Sequence, residues 1–180
     1  FLINTVLLSS AFCLFLITLK DFFIKKNKNL SQNLSHFGFG LFIISIMLNN
    51  FFTTEVITNL KIGESFKTKN LRIIFEDIDQ KEESNFKSII GKFRVESTNG
   101  NIEFLNPELR IYNQPNIVTS EADIKTSLIS DKFITMNLVQ NQKYFNIRYQ
   151  HKPLMIWIWF SVLIISCGGM ISLLKKRNEI

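Results

Sequence analysis

Apolar and polar residues along this chain follow two different periods, and the change between them divides it. Phe1–Leu19 and Leu154–Leu174 are apolar runs with no charged residue. Each is close to the ~20 residues that a helix needs to cross a ~30 Å hydrocarbon core. Phe37–Phe52 is a shorter run, at the lower edge of the usual ~17–25 residues. The pattern predicts three membrane-spanning helices, over 1–23, 34–52 and 153–174, with a basic loop at 24–33 and a basic tail at 175–180.

Residues 53–152 change to period two. Lys92-Phe93-Arg94-Val95-Glu96 alternates, and so does Asn101-Ile102-Glu103-Phe104; Ser97-Thr98-Asn99-Gly100 lies between them. Asn-Gly tolerates the positive φ of a type I′ turn, so a hairpin is predicted there. Leu71–Phe75, Leu109–Tyr112, Phe133–Leu138 and Tyr144–Tyr149 alternate in the same way. Six or seven short antiparallel strands with one buried face follow, hence an all-β domain, a small sandwich or partly open barrel. A single helical turn is expected at Glu121–Lys125. The fold class is therefore an integral membrane α-helical fragment with three spans and one extracytoplasmic all-β domain.

Charge fixes the orientation of this scheme. The net charge is +6, but seven basic residues form two clusters, Lys20–Lys28 and Lys175–Arg177, beside predicted spans. The excess of Lys and Arg in cytoplasmic loops explains both, and both fall on the same side of a three-span chain. A nucleic-acid partner is not needed, and residues 53–152 fall on the opposite, extracytoplasmic side. Phe1–Leu19 does not read as a signal peptide, whose positive charges precede its apolar stretch. Here the lysines follow. The chain starts with Phe, so it is expected to be a piece of a longer protein.

Little in the polar segment carries chemistry. Cys13 and Cys167 both lie in spans, so the external domain offers no disulfide framework or thiol pair. Glu76, Asp77, Asp79, Glu82 and Glu83 form an acidic cluster. Their spacing does not suit an EF-hand loop and no turn glycine lies among them; a solvated hairpin edge accounts for them. His151 reads as an interfacial polar residue, and Trp157 and Trp159 as an aromatic belt facing two directions. His36 is different, because it opens an apolar run. Its sequence position, about 12 Å along a helix from Lys28, leaves two readings: a snorkelling or polar-bridged histidine, or a ligand.

Five segments, in order, resemble the C-terminal end of the CcmF family of cytochrome c maturation. Ser35-His36-Phe37-Gly38 resembles that family's Ala-His-Leu-Gly, and Lys61-Ile62-Gly63-Glu64-Ser65 its Pro-Gly-Asp-Ser approach to the external domain. Asn106-Pro107-Glu108-Leu109-Arg110-Ile111-Tyr112 is similar to its Pro-Glu-Lys-Arg-x-Tyr strand. Ser120-Glu121-Ala122-Asp123-Ile124 is similar to Thr-Glu-Ala-Ala-Ile-Asp, with Asp123 in place of an Ala and the family's Asp replaced by Lys125 or displaced. Lys152-Pro153, Trp157-Ile158-Trp159 and Gly168-Gly169 resemble its Lys-Pro-x-x-x-Trp-Ile-Trp and later Gly-Gly. The family's tryptophan-rich heme-handling segment lies upstream of these residues.

The resemblance implies a function. The family is a membrane heme lyase that joins heme vinyl groups to the thiols of an apocytochrome c Cys-x-x-Cys-His motif, outside the membrane. His36 would be one of two axial ligands of a resident heme b, and so a ligand of its iron, with the second ligand on an upstream span. Gly38 and Gly40 would let a macrocycle or helix approach, and Phe37, Phe39 and Phe42 would line it. The implied partners are a heme-handling chaperone, other maturation subunits and apocytochrome c. The implied location is a bacterial inner membrane or the mitochondrial inner membrane, with 53–152 on the periplasmic or intermembrane-space side. This fragment is not expected to catalyse the reaction alone. The competing reading is a non-enzymatic, membrane-anchored β domain that acts as an assembly or docking scaffold.

Overall fold

A computed structural model describes residues 2–24, 30–98, 100–139 and 144–178. It divides into two compact units. The first contains helices α1 (Leu2–Ile24), α2 (Leu30–Phe52) and α3 (Met155–Asn178). All three are long and apolar enough to cross a membrane. Lys25, Lys26, Lys28 and Asn29 of the expected basic loop lie outside the described residues, as does Asn99 of the expected hairpin turn. Helix α2 begins about two turns before the apolar run, so Ser31 and Gln32 lie inside it and His36 sits in its second turn.

Helix α2 packs against both α1 and α3. Small residues permit this. A Cβ added at Gly38 would stand 2.8 Å from Ile165 Cγ1, and one at Gly40 would stand 3.3 Å from the Ala11 carbonyl oxygen. Bilayer lipid gives helices no hydrophobic reason to associate, so close backbone approach at such residues supplies the attraction. Thr18, buried in α1, turns its hydroxyl back on the Leu14 carbonyl oxygen at 2.8 Å, which removes an unpaired donor from an apolar setting. Val6, Phe12, Leu163 and Leu173 remain exposed, as expected for a surface solvated by lipid.

The second unit is all β. Among the described residues ten strands form: β1 (Thr54–Leu60), β2 (Ser65–Lys67), β3 (Leu71–Glu82), β4 (Phe86–Ser97), β5 (Ile102–Leu105), β6 (Glu108–Tyr112), β7 (Val118–Glu121), β8 (Asp123–Thr126), β9 (Ser130–Leu138) and β10 (Phe145–Pro153). One sheet runs β1-β10-β9-β8; the other runs β2-β3-β4-β6-β7, with β5 also paired to β4. The core is filled from both sheets. Ile73, Phe75, Phe93, Val95, Leu105 and Leu109 meet Leu60, Ile134, Met136, Ile147 and Tyr149. Their i, i+2 spacing along single strands reflects the alternation of side chains across a pleated strand. The rings of Phe75 and Phe93 stack at 4.4 Å, and Phe145 meets Phe75 edge-on at 5.5 Å. Each fully buried Phe contributes about 1.5–3 kcal/mol by leaving water.

The expected hairpin is present, with Glu96 opposite Ile102 and Arg94 opposite Phe104. Gly100 has a φ of 79°, the left-handed conformation that the turn demands. The acidic cluster lies on the β3–β4 hairpin. There Glu76, Asp79 and Glu82 pair across strands with Arg94, Lys92 and Lys87. Two expectations are corrected. The strands outnumber the six or seven expected: β2, β7 and β8 are short, and β1, Thr-Glu-Val-Ile-Thr-Asn-Leu, does not alternate cleanly. Glu121–Lys125 is not a helical turn: β7 ends at Glu121 and β8 begins at Asp123, so Ala122 is the corner where the chain leaves one sheet for the other.

Candidate functional site

Helix α2 presents three faces. Ser31, Ser35 and Gly38 face α3: the Ser31 hydroxyl donates to the Gly168 carbonyl oxygen at 2.9 Å, and a Cβ on Gly168 would fall 2.4 Å from Ser35 Oγ. Phe37 and Gly40 face α1. Phe37 stacks on Phe15 at 4.8 Å and meets Phe22 edge-on at 5.9 Å. Gln32, His36, Phe39, Ile46 and Asn50 are exposed on the remaining face. These residues recur at intervals of three, four or seven, which places them in one stripe along a helix.

At Gly38 and Gly40 the approaching element is a helix, one of the two alternatives expected there. Gly38, Gly40 and Phe37 are committed to packing within the bundle and are not free to receive a macrocycle. Phe39, half exposed at 50%, shares the open stripe with His36. Phe42 is partly buried.

The imidazole itself has one polar neighbour. Gln32 Nε2, one turn earlier, lies 3.4 Å from His36 Nε2. With the amide as donor, Nε2 is the acceptor and carries a free electron pair, the form in which imidazole binds metal ions. At 3.4 Å this is a weak bond to a long, exposed side chain, so it yields readily to a stronger partner. No group of three or more His, Cys, Asp or Glu is placed to hold a metal ion among the described residues. His151, the chain's other histidine, belongs to the β unit. The residues thus fit one axial ligand with an apolar neighbour, and a complete heme site would need a second ligand and further walls from other chain.

Trp157 and Trp159 take different surroundings, as their spacing predicts. Trp157 Nε1 donates to the Leu128 carbonyl oxygen at 2.8 Å, whereas Trp159 is 66% exposed. His151 lies at the end of β10 opposite Thr54. Burial holds its imidazole below the usual histidine pKa, and Lys132 acts in the same direction. One participant escaped sequence reasoning. The Ser127–Asp131 segment belongs with the helical unit, and only the presence of Leu128 and Ile129 in a Ser-bounded turn hinted at a role.

Comparison with known proteins agrees with this architecture. Residues 51–153 match the family pattern described as the CcmF C-terminal beta-sandwich. The chain is 27% identical over 149 residues to the cytochrome c-type biogenesis protein CcmF of Pseudomonas fluorescens, covering 83% of this chain and 23% of that protein. It is 27% identical over 143 residues to the cytochrome c-type biogenesis protein ccl1 of Rhodobacter capsulatus, covering 79% and 22%. It therefore spans under a quarter of the length of these relatives. A solved structure of a cytochrome c heme lyase CcmF shares the fold, with a TM-score of 0.62 at 14% identity, over 87% of this chain and 27% of that one. The match over the sandwich covers more than half of the chain, which accordingly belongs to the CcmF family.

Proposed function

We propose that this chain is the C-terminal part of a membrane heme lyase of cytochrome c biogenesis, and that His36 supplies one axial ligand to a resident heme b. The observation that carries the reading is the place of His36: an exposed imidazole on the one face of α2 that neither α1 nor α3 covers, in a chain of the CcmF family. When bound, the heme would supply electrons that keep delivered heme iron reduced. In this reading His36 would hold the heme iron in place of its weak bond to Gln32, and Phe39, on the same open face, would offer it apolar surface. Gly38, Gly40 and Phe37 hold α2 against its neighbours so that the imidazole keeps one orientation.

The substrate thiols come from apocytochrome c, and the heme from a chaperone. The sandwich acts as a docking element for these partners and for other maturation subunits. The basic clusters orient the sandwich to the periplasmic or intermembrane-space side of an inner membrane.

The test is His36→Ala in the full-length protein. Heme content and cytochrome c maturation are expected to fall while membrane insertion stays intact, since Ala does not make the span less apolar. His36→Gly opens the same space, and added imidazole is expected to restore part of the heme. His36→Cys is expected to keep some heme at an altered potential, because thiolate is also an axial ligand. Wild-type heme stoichiometry and reduced spectrum in His36→Ala would remove His36 as a ligand and favour the scaffold reading.

A further inference from the structure

The turn between β8 and β9 exposes two large apolar side chains at its tip, Leu128 at 70% and Ile129 at 74%. In a water-facing turn such residues lose hydrophobic stabilisation and promote association. Their backbone surroundings are unusual for a solvated loop. The Leu128 carbonyl oxygen accepts the Trp157 indole N–H at 2.8 Å, and the Ile129 carbonyl oxygen accepts the Leu154 N–H at 2.7 Å. The Ser130 carbonyl oxygen accepts both the Ser127 N–H at 3.0 Å and the Ser127 hydroxyl at 2.7 Å; the Ser130 N–H returns to Ser127 Oγ at 3.0 Å. Leu154 adopts a φ of 59° between β10 and α3, a conformation that a residue with a bulky side chain rarely takes. It places the N–H on the Ile129 carbonyl while its own carbonyl oxygen accepts from Trp157 N and Ile158 N.

The carbonyls of Leu128, Ile129 and Ser130 are thus satisfied within the protein, which removes part of the cost of bringing this backbone into an apolar medium. The neighbours agree. Phe51 and Phe52 are exposed at the end of α2, and Trp159 and Phe160 are exposed in the first turns of α3. Asn49 of α2 donates to the Pro153 carbonyl oxygen, which holds these two helix ends together. The tip is therefore continuous with the apolar surface of the spans, at the depth where aromatic side chains favour the membrane boundary.

We propose that the Ser127–Ser130 turn is a lipid-contacting wedge, with Leu128 and Ile129 seated in the headgroup–acyl boundary of the bilayer beside the start of α3. Trp157 is its positioning residue, acting through the bond to Leu128. The occupant is bilayer lipid, because the surface continues from membrane-spanning helices and the tip residues are uncharged.

The experiment uses full-length protein in phosphatidylcholine/phosphatidylglycerol nanodiscs, in a Cys13→Ser, Cys167→Ser background. A nitroxide is attached at Leu128→Cys and, separately, at Ile129→Cys. Leu163→Cys in mid-α3 and Asn113→Cys in a loop of the sandwich serve as lipid and water references. Power saturation is expected to show both tip labels relaxed by oxygen and protected from the water-soluble nickel chelate, as at Leu163. Exposure to nickel equal to that at Asn113 would overturn the proposal. Protection from both reagents would also overturn it, because a protein partner would then cover the tip. Nickel access at Leu163 would overturn the span itself and the wedge with it, which separates that failure from a failure of the wedge alone.

Discussion

The backbone N–H of Asn106 donates to Asp123 Oδ2 at 2.6 Å. The bond joins the β5–β6 corner to the start of β8, where the chain has just crossed between sheets at Ala122. It also joins two segments that resemble the same family in the primary sequence. Asp123 thus ties one of these segments to the other. A hydrogen bond to a carboxylate contributes more than a neutral one, and partial exposure places this one near the low end, about 1–1.5 kcal/mol. Asp123→Ala is expected to lower the denaturant midpoint of the β circular dichroism signal in detergent-solubilised protein, and Asp123→Asn by roughly half as much. Equal midpoints for wild type and Asp123→Ala would show that the corner holds without this bond.

Adjacent glycines in α3 make a controlled pair. A Cβ at Gly168 would stand 2.9 Å from both the Ser31 carbonyl oxygen and the Ser35 nitrogen, whereas one at Gly169 meets nothing within 4 Å. Backbone cannot yield as a flexible side chain does. Gly168→Ala is expected to separate α2 from α3 and lose the bond from Ser31 to the Gly168 carbonyl, at a cost of about 1–3 kcal/mol for overpacking. Gly169→Ala is expected to be silent or slightly stabilising, since Ala is the better helix former. Resistance to thermal aggregation in detergent measures both, and equal behaviour would place the close approach elsewhere.

His151 gives the sandwich a pH dependence of known sign. Burial and then Lys132 lower its pKa from 6.5, while Glu103, ion-paired with Lys132 at 2.6 Å, opposes them. With a depressed folded value, the unfolded chain binds the proton more readily. The contribution is therefore fully present above the unfolded pKa and is lost as pH falls through the folded value. Melting temperature is expected to decline as pH drops below about 6.5, and His151→Gln is expected to flatten that decline. The carboxylates of Glu82 and Glu108, lowered by Lys87 and Arg110, lose their contribution only in the more acidic range below 4.5. An unchanged profile in His151→Gln would exclude the imidazole as the source.

The basic clusters predict the topology. In cells, Asn113→Cys in a background where Cys13, Cys167 and every cysteine of the remaining full-length chain are replaced by Ser is expected to react with a membrane-impermeant maleimide from the periplasmic or intermembrane-space side. Reaction from the cytoplasmic or matrix side alone would invert the orientation.

The sequence by itself determined the membrane helices, because twenty uncharged residues have few other stable solutions. It determined the sandwich as a class, because Ile73/Phe75, Phe93/Val95 and Ile134/Met136 keep period two, and period two buries one face. It also singled out His36, an imidazole at the start of an apolar run. Only tertiary structure decided what surrounds it. Gly38, Gly40 and Phe37 read equally well as cofactor walls or as helix packing, because a small or aromatic residue on a helix does not state which neighbour it meets. The placement of α1 and α3 commits these three to packing and leaves Gln32, His36 and Phe39 open. Strands β2, β7 and β8 were not legible for a related reason: they are short and, unlike β5, are not flanked by an Asn-Gly turn that marks a hairpin, so pairing within the fold defines them. The Leu128–Ile129 turn was illegible as well, since its hydrogen bonds run to Leu154 and Trp157, far along the chain and brought near only by the fold.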